Sequence, residues 1–211
     1  MSVCPYTRLV GRDRLILEAA EEQFYERSFD GVGVAAIGAR AGVSPSAIYR
    51  HFESKDEILA VLFDEAMDAL QRHTADVHPD PKEELAYLIA GHAEFALTHV
   101  RLAAIWTRER RALAEPYRRR VQRRQKQYID RWIECLGACY PGWRRSDLAV
   151  ITRAVLAMMT SDGTRPSAVP RSAHLKELLV SAATNAVQAL ERYPIPNRSD
   201  AWMVDQSTTR G

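Results

Sequence analysis

Apolar residues in this 211-residue chain recur at three- and four-residue spacing nearly from end to end, and no run alternates convincingly at period two. Such a pattern makes stripes on helices rather than faces on strands, so the fold class it specifies is all-α. Glycine and proline, ten of each, are too few for the tight turns of an all-β chain. The first helix is expected over 12–27, with Leu15, Ile16, Ala19, Ala20 and Phe24 on its inner stripe. Asp80-Pro81-Lys82-Glu83 opens another, Asp80 capping, Pro81 in the first turn and Glu83 completing a capping box. That helix runs to His99, and a short one follows through Arg111. The longest helix starts at Pro116 and ends near Cys139, with Tyr117, Val121, Tyr128, Trp132 and Leu136 facing inward. Ser146 is expected to cap a helix whose stretch 148–159 is apolar nearly all round and hence buried on most sides. A loop over 166–170 precedes a last helix over about 172–192, with Leu175, Leu178, Leu179, Ala182, Ala186 and Leu190 facing one way. Pro194 and Pro196 end it, and residues 194–211, around Trp202, read as a flexible polar tail.

Several function classes are excluded early. No apolar run reaches the roughly 18 residues that a membrane span needs, and the N-terminus lacks the apolar core of a secretory signal. Cys4, Cys135 and Cys139 form an odd, sparse set, which fits a reducing, cytoplasmic location rather than a disulfide scaffold. There is no phosphate loop, no zincin motif, no nucleophile elbow and no obvious carboxylate pair, so an enzyme is not expected. No cofactor is expected either. His92 and His99 are separated by ~10.5 Å of helix rise, too far to share a metal at ~2.1 Å each. Cys135 and Cys139 have no further ligand nearby in sequence, so no metal site is expected.

The densest local signal lies in residues 33–57, GVAAIGARAGVSPSAIYRHFESKDE. Val34, Ile37 and Ala41 give a helix of about two turns, and Gly42 follows where a C-terminal cap needs positive φ. Val43 points inward to pin the turn. Ser44 caps the next helix, Pro45 takes its first position, and Ile48 and Phe52 lie four apart on the buried face. Two short helices joined by a tight glycine turn form a helix-turn-helix, whose second helix presents its N-terminal residues to base edges in the major groove. Ser46, Ala47 and Arg50 have suitable sizes to meet them. Ser54 and Glu57 then form a capping box for a third helix, whose N-terminus beside Lys55 is suited to phosphate.

The run AGVSPSAIYRHFESKDEIL, preceded by a helix ending QFYERSFDG, resembles the TetR family of one-component transcriptional repressors over roughly residues 10–60. The resemblance implies a three-helix DNA-binding domain over residues 1–57 and a helical ligand-binding and dimerisation domain over 58–193. It also implies a homodimer on a palindromic, double-stranded DNA operator, released by a small molecule. Carried over by position, Ser44, Ser46 and Ala47 face bases, while Tyr49, His51 and Lys55 face phosphates. Gly33, Val34, Arg40, Pro45 and Arg50 complete the candidate DNA-contacting set. Two positions depart from the family pattern: Gly33 stands where a hydroxyl-bearing cap is usual, and Ser28 replaces the usual glycine after the first helix.

Charge is distributed unevenly. Residues 1–55 carry seven basic and seven acidic side chains, whereas 116–145 carry nine and two. Arg118, Arg119, Arg120, Arg123, Arg124, Lys126 and Arg131 thus form a basic block outside the motif. It reads first as a solvated face pairing with the acidic segment before it, and second as a phosphate site for an acyl-coenzyme-A-like ligand. Phe63, Met67, His92, Phe95, Trp106, Tyr128, Trp132 and Met158 are the candidate pocket residues, with Tyr128 foremost because its hydroxyl needs a partner. The Ala- and Leu-rich last two helices are the expected dimer interface.

Overall fold

The computed structural model describes residues 11–166 and 168–193; Cys4, Trp202 and the expected tail lie outside the described residues. Every regular element among them is helical. The helices are α1 (Arg12–Arg27), α2 (Val34–Ala41), α3 (Pro45–Ile48), α4 (Lys55–His73), α5 (Pro81–Thr98), α6 (Val100–Glu109), α7 (Tyr117–Cys139), α8 (Arg145–Met159) and α9 (Leu175–Arg192), with a 3-10 turn at Ser161–Thr164.

Local chemistry sets most boundaries. Asp80 accepts from the amides of Lys82 and Glu83, both at 2.9 Å, with Pro81 beside it at the start of α5. The glutamate that reaches back is Glu84 rather than Glu83: its carboxylate accepts from the His78 amide at 2.9 Å. Ser54 caps α4 through the Glu57 amide at 3.1 Å, and the Glu57 carboxylate returns to the Glu53 amide at 2.5 Å. Ser146 does not cap α8; Arg144 occupies that position and Ser146 sits in the first turn, its hydroxyl beside Asp147. Likewise α9 starts at Leu175, with Ser172 one turn upstream accepting from the His174 amide.

The packing of α4 joins the two halves of the molecule. Residues 57–64 of this helix are all buried, and its inner and outer faces touch α1, α5, α6 and α7. A helix covered on every side belongs to the core along its length. On the N-terminal side, α1 buries Ile16, Ala19, Ala20 and Phe24 of the expected stripe together with Leu17, whereas Leu15, also expected there, is 51% exposed. On the other side α5, α7, α8 and α9 close a four-helix ring.

The last two helices are covered less than expected. Only Leu148, Thr152, Val155 and Met159 of α8 are buried, a single stripe, while Val150 is 58% exposed. In α9 the buried stripe is Leu179, Ala183 and Val187; Leu178, in the expected stripe, is 57% exposed, and Ala182 is exposed as well. Each helix therefore keeps an apolar flank open.

Candidate nucleic-acid interface and ligand cavity

The turn between α2 and α3 is built from three local devices. Gly42 ends α2 at φ +68°, a conformation disfavoured for residues with a Cβ. The chain then folds back so that the Val43 amide donates to the Gly38 carbonyl at 2.9 Å. Gly38 itself permits this approach, because a Cβ there would lie 2.7 Å from the Val43 carbonyl oxygen. Ser44 caps α3, its hydroxyl accepting from the Ala47 amide at 3.2 Å and lying 3.0 Å from the Ser46 hydroxyl. Ile48 and Phe52 anchor the segment in the core.

That anchoring decides which candidate residues face outward. Ser44, Pro45, Ser46, Tyr49, Arg50 and His51 are exposed, as are Gly33 and Arg40, and Val34 is half-buried. Ala47 is only 6% exposed: beside Ile48 it is turned into the packing of α3, which corrects its expected place among the base-facing residues. Lys55 is also redirected. Its ammonium donates to the Phe29 and Val32 carbonyls at 2.8 and 3.0 Å and lies 4.0 Å from the centre of the Phe29 ring. It ties the α1–α2 connection to the start of α4 instead of projecting toward a phosphate. Arg40 holds Glu22 in a bidentate pair at 2.5 and 2.8 Å, and His51 pairs with Asp13. Arg50 forms no ion pair with a described residue.

The basic block of α7 behaves differently. Asp64, 2% exposed, receives Arg120 at 2.8 Å and Arg124 at 3.0 Å, and Arg124 also reaches Asp68 and Gln71. Arg131 pairs with Glu84 at 2.6 Å and donates to the Thr74 and Asp76 carbonyls. Arg118 and Arg119 both meet Glu115, and Lys126 meets Asp130. This cluster fastens α7 to α4 and α5, as the pairing with the preceding acidic segment predicts.

A cavity of about 330 Å³ opens among α4, α5, α6, α7 and α8. Five candidate pocket residues line it: Met67, His92, Phe95, Trp106 and Tyr128. Phe63, Trp132 and Met158 do not. Phe63 packs edge-on against Trp106, centroids 4.9 Å apart, and Trp132 is fully buried behind His92 and Tyr128. Met158 is half-buried on α8 outside the lining. Spacing marks apolar stripes but does not distinguish a side chain filling the core from one facing a void.

The deepest polar feature is the His92–Tyr128 pair, with Nδ1 3.0 Å from the hydroxyl. Burial lowers the His92 pKa to about 3, keeping the imidazole neutral, and raises that of the Tyr128 phenol. Exposed Arg110 and Arg153 also line the cavity, together with Gln125 and Thr160. These four lie away from the apolar stripes and carry no sequence signal for a pocket. Among the described residues, no group of three or more His, Cys, Asp or Glu side chains is placed to hold a metal, and no helix is long and apolar enough to cross a membrane.

A helix-turn-helix with an outward second helix, carried on a helical body with an apolar cavity, defines a DNA-binding regulator with a ligand-receptive domain. The chain belongs to the TetR family. The profile described as "Bacterial regulatory proteins, tetR family" matches residues 16–62, and "Tetracyclin repressor-like, C-terminal domain" matches 78–162. The HTH-type transcriptional repressor KstR2 of Mycobacterium tuberculosis is 30% identical over 140 residues, covering 64% of this chain and 70% of that protein. The fatty acid metabolism regulator protein of Bacillus subtilis is 30% identical over 118 residues, covering 54% and 61%. Among solved structures, KstR2 superposes with a TM-score of 0.71 at 22% identity, covering 86% of this chain and 96% of that one. AibR, solved with isovaleryl coenzyme A and operator DNA, gives 0.70 at 20% identity, covering 85% and 97%. Family membership makes the chain a regulator rather than an enzyme.

Proposed function

We propose that the protein is a repressor that binds a palindromic operator as a homodimer and releases it when a small molecule enters the cavity. The observation that carries this reading is the outward face of α3. Ser46 on α3 and Tyr49 and Arg50 in the turn directly after it are exposed, and Arg50 has no ion-pair partner among the described residues. In the docking geometry of a helix-turn-helix, Ser44, Pro45, Ser46 and Arg50 meet base edges, while Tyr49, His51, Arg40 and the Gly33–Val34 amides lie toward the backbone. A neutral domain suffices, because backbone amides share the phosphate contacts and specificity does not require a large net charge. A DNA partner fits a cytoplasmic location.

Residues 1–57 form the reading unit and 58–193 the sensing unit, with α4 continuous across the boundary. The open flanks of α8 and α9, including Val150, Leu178 and Ala182, support dimerisation through these helices, since small and apolar residues allow close helix approach. The effector we favour is amphipathic, its apolar body among the cavity walls and its anionic group near Arg110 and Arg153. The AibR ligand, an acyl thioester of coenzyme A, has that character.

Coupling runs through two elements that touch both units. Helix α4 contributes Met67 and Leu70 to the cavity and begins at Lys55, which holds the α1–α2 connection. Helix α6 contributes Trp106, while its Arg108 donates to the Phe24 and Tyr25 carbonyls at 2.7 and 2.8 Å and so closes the end of α1. A ligand that shifts either helix reorients the two α3 helices of the dimer relative to their half-sites. The test is fluorescence anisotropy with DNA from immediately upstream of the protein's own gene, against a scrambled duplex, over a salt series. Tight binding to the first alone, weakening steeply with salt, is the expected result. Equal, weak binding to both refutes the reading for this operator and this face.

A further inference from the structure

Among the described residues a few buried polar atoms lack a hydrogen-bond partner, Trp132 Nε1 and His78 Nε2 among them, and one of these atoms, His92 Nε2, belongs to a residue that lines the cavity. His92 is 5% exposed and fixed on three sides: Nδ1 lies 3.0 Å from the Tyr128 hydroxyl, the Tyr128 ring stacks at 5.8 Å with 21° between planes, and Trp132 meets it edge-on at 6.3 Å. Nε2 is buried without a hydrogen-bond partner among the described residues. Buried polar atoms are nearly always satisfied, so an unpartnered one on a residue that lines a cavity is a candidate ligand contact, reached by a small shift of the wall over Nε2.

The proton on that nitrogen follows from relative acidity. A phenol is a much better donor than a neutral imidazole N–H, and an imine-type nitrogen is a much better acceptor than a phenol oxygen. The favoured pair therefore has Tyr128 O–H donating to Nδ1, which leaves the single imidazole proton on Nε2. The remaining valence is a neutral donor within an apolar surround that includes Met67, Phe95 and Trp106.

We propose that His92 Nε2–H is the polar specificity contact of the effector site and takes an uncharged acceptor oxygen of the ligand, of the ketone, ester or thioester carbonyl class. The inference rests on the reading of this cavity as the effector site and specifies the chemistry of its buried end. A carboxylate is disfavoured there, because His92 is neutral and the deeper wall offers no cation to a desolvated charge. Arg110 and Arg153, both exposed, are where an anionic group of the same ligand is accommodated. Tyr128 is a positioning residue: it sets the tautomer and does not itself meet the ligand oxygen.

The test compares 2-undecanone with the isosteric alkene 2-methylundec-1-ene, in which a methylene replaces the carbonyl oxygen. Their affinities for the full-length wild type, His92→Phe and Tyr128→Phe are measured by calorimetric titration. Wild type is expected to prefer the ketone by about tenfold or more. His92→Phe is expected to lose that preference while still binding the alkene, and Tyr128→Phe to weaken it by releasing the tautomer. Equal affinity of wild type for both compounds overturns the His92 assignment and leaves the cavity reading standing. Binding of neither compound overturns the cavity reading and this inference with it. A measurement on wild type alone guards against a variant that fails to fold: ¹⁵N NMR of the imidazole should show Nε2 protonated and Nδ1 bare. The opposite tautomer contradicts the proposal whatever the variants do.

Discussion

The two basic regions of this protein have opposite fates. In α7, arginines are dense, and the fold answers nearly all of them with carboxylates or carbonyls of its own: Arg120 and Arg124 with Asp64, Arg131 with Glu84, Arg118 and Arg119 with Glu115. Around α3 basic side chains are few, and most have partners of their own, Arg40 with Glu22, His51 with Asp13 and Lys55 with two carbonyls. Arg50 is left over. The contrast teaches that charge density along the chain does not mark an interface. What singles out Arg50 is that it stands beside the helix-turn-helix without an ion-pair partner among the described residues, and His92 Nε2 likewise has no hydrogen-bond partner among them.

The comparison can be broken most forcefully at Asp64. Replacing it with alanine removes this carboxylate from both Arg120 and Arg124, leaving Arg124 with Asp68 as its one remaining carboxylate beside Gln71 and the residue-64 carbonyl. The loss is expected to be about 3 kcal/mol of unfolding free energy, as for other broken buried pairs. Denaturant titration reads it directly. If stability is unchanged, the α7 cluster is not the internal fastening described here. Next in size, Arg50→Ala is expected to weaken operator binding by about 1–3 kcal/mol with no change in melting temperature. A variant that loses stability in proportion to affinity would make Arg50 structural.

His92 gives a pH signature of its own. Its pKa is about 3 in the folded protein against the ordinary 6.5, so below pH 6.5 the unfolded chain takes up a proton that the native state refuses. Stability attributable to this site is therefore intact above pH 6.5 and falls on acidification, approaching about 1.4 kcal/mol per pH unit well below that value. Between pH 6.5 and 5, wild type should lose stability faster than His92→Phe. Parallel curves would show that the imidazole is not held neutral. The smallest effect belongs to exposed Arg123 on α7, where substitution by alanine should change stability by less than about 0.5 kcal/mol and leave DNA affinity alone.

The motif was legible in the sequence because each of its devices is local. Gly42, Ser44, Pro45 and Ser54 act within a few residues of where they stand, and spacing alone placed them. Gly38 could have been noticed as an isolated glycine within a helix; its reason, the return of Val43, is itself only five residues away. Ala47 was misplaced because α3 is a single turn, too short for periodicity to separate an inner from an outer side chain. The partners of Arg40 and Lys55 lie 18 to 26 residues away, and those of Arg124 up to 60, distances at which spacing says nothing. The cavity was half legible for a related reason. Met67, Phe95 and Tyr128 lie on the stripes that periodicity finds, but so do Phe63 and Trp132, and only packing separates lining from filling. Helix α8, apolar nearly all round, suggested burial on all sides, although its own chain buries only the stripe Leu148, Thr152, Val155 and Met159.

The proposed nucleic-acid face is α3 with the turn after it, and not the basic block of α7. It is tested most directly by anisotropy on the operator duplex at several salt concentrations, comparing wild type with Arg50→Ala and with Arg119→Ala/Arg123→Ala. The account predicts that Arg50→Ala loses roughly tenfold or more in specific affinity, while the α7 double variant keeps both the affinity and the salt slope of wild type. A double variant with weakened binding and a shallower slope, beside an unimpaired Arg50→Ala, would contradict it.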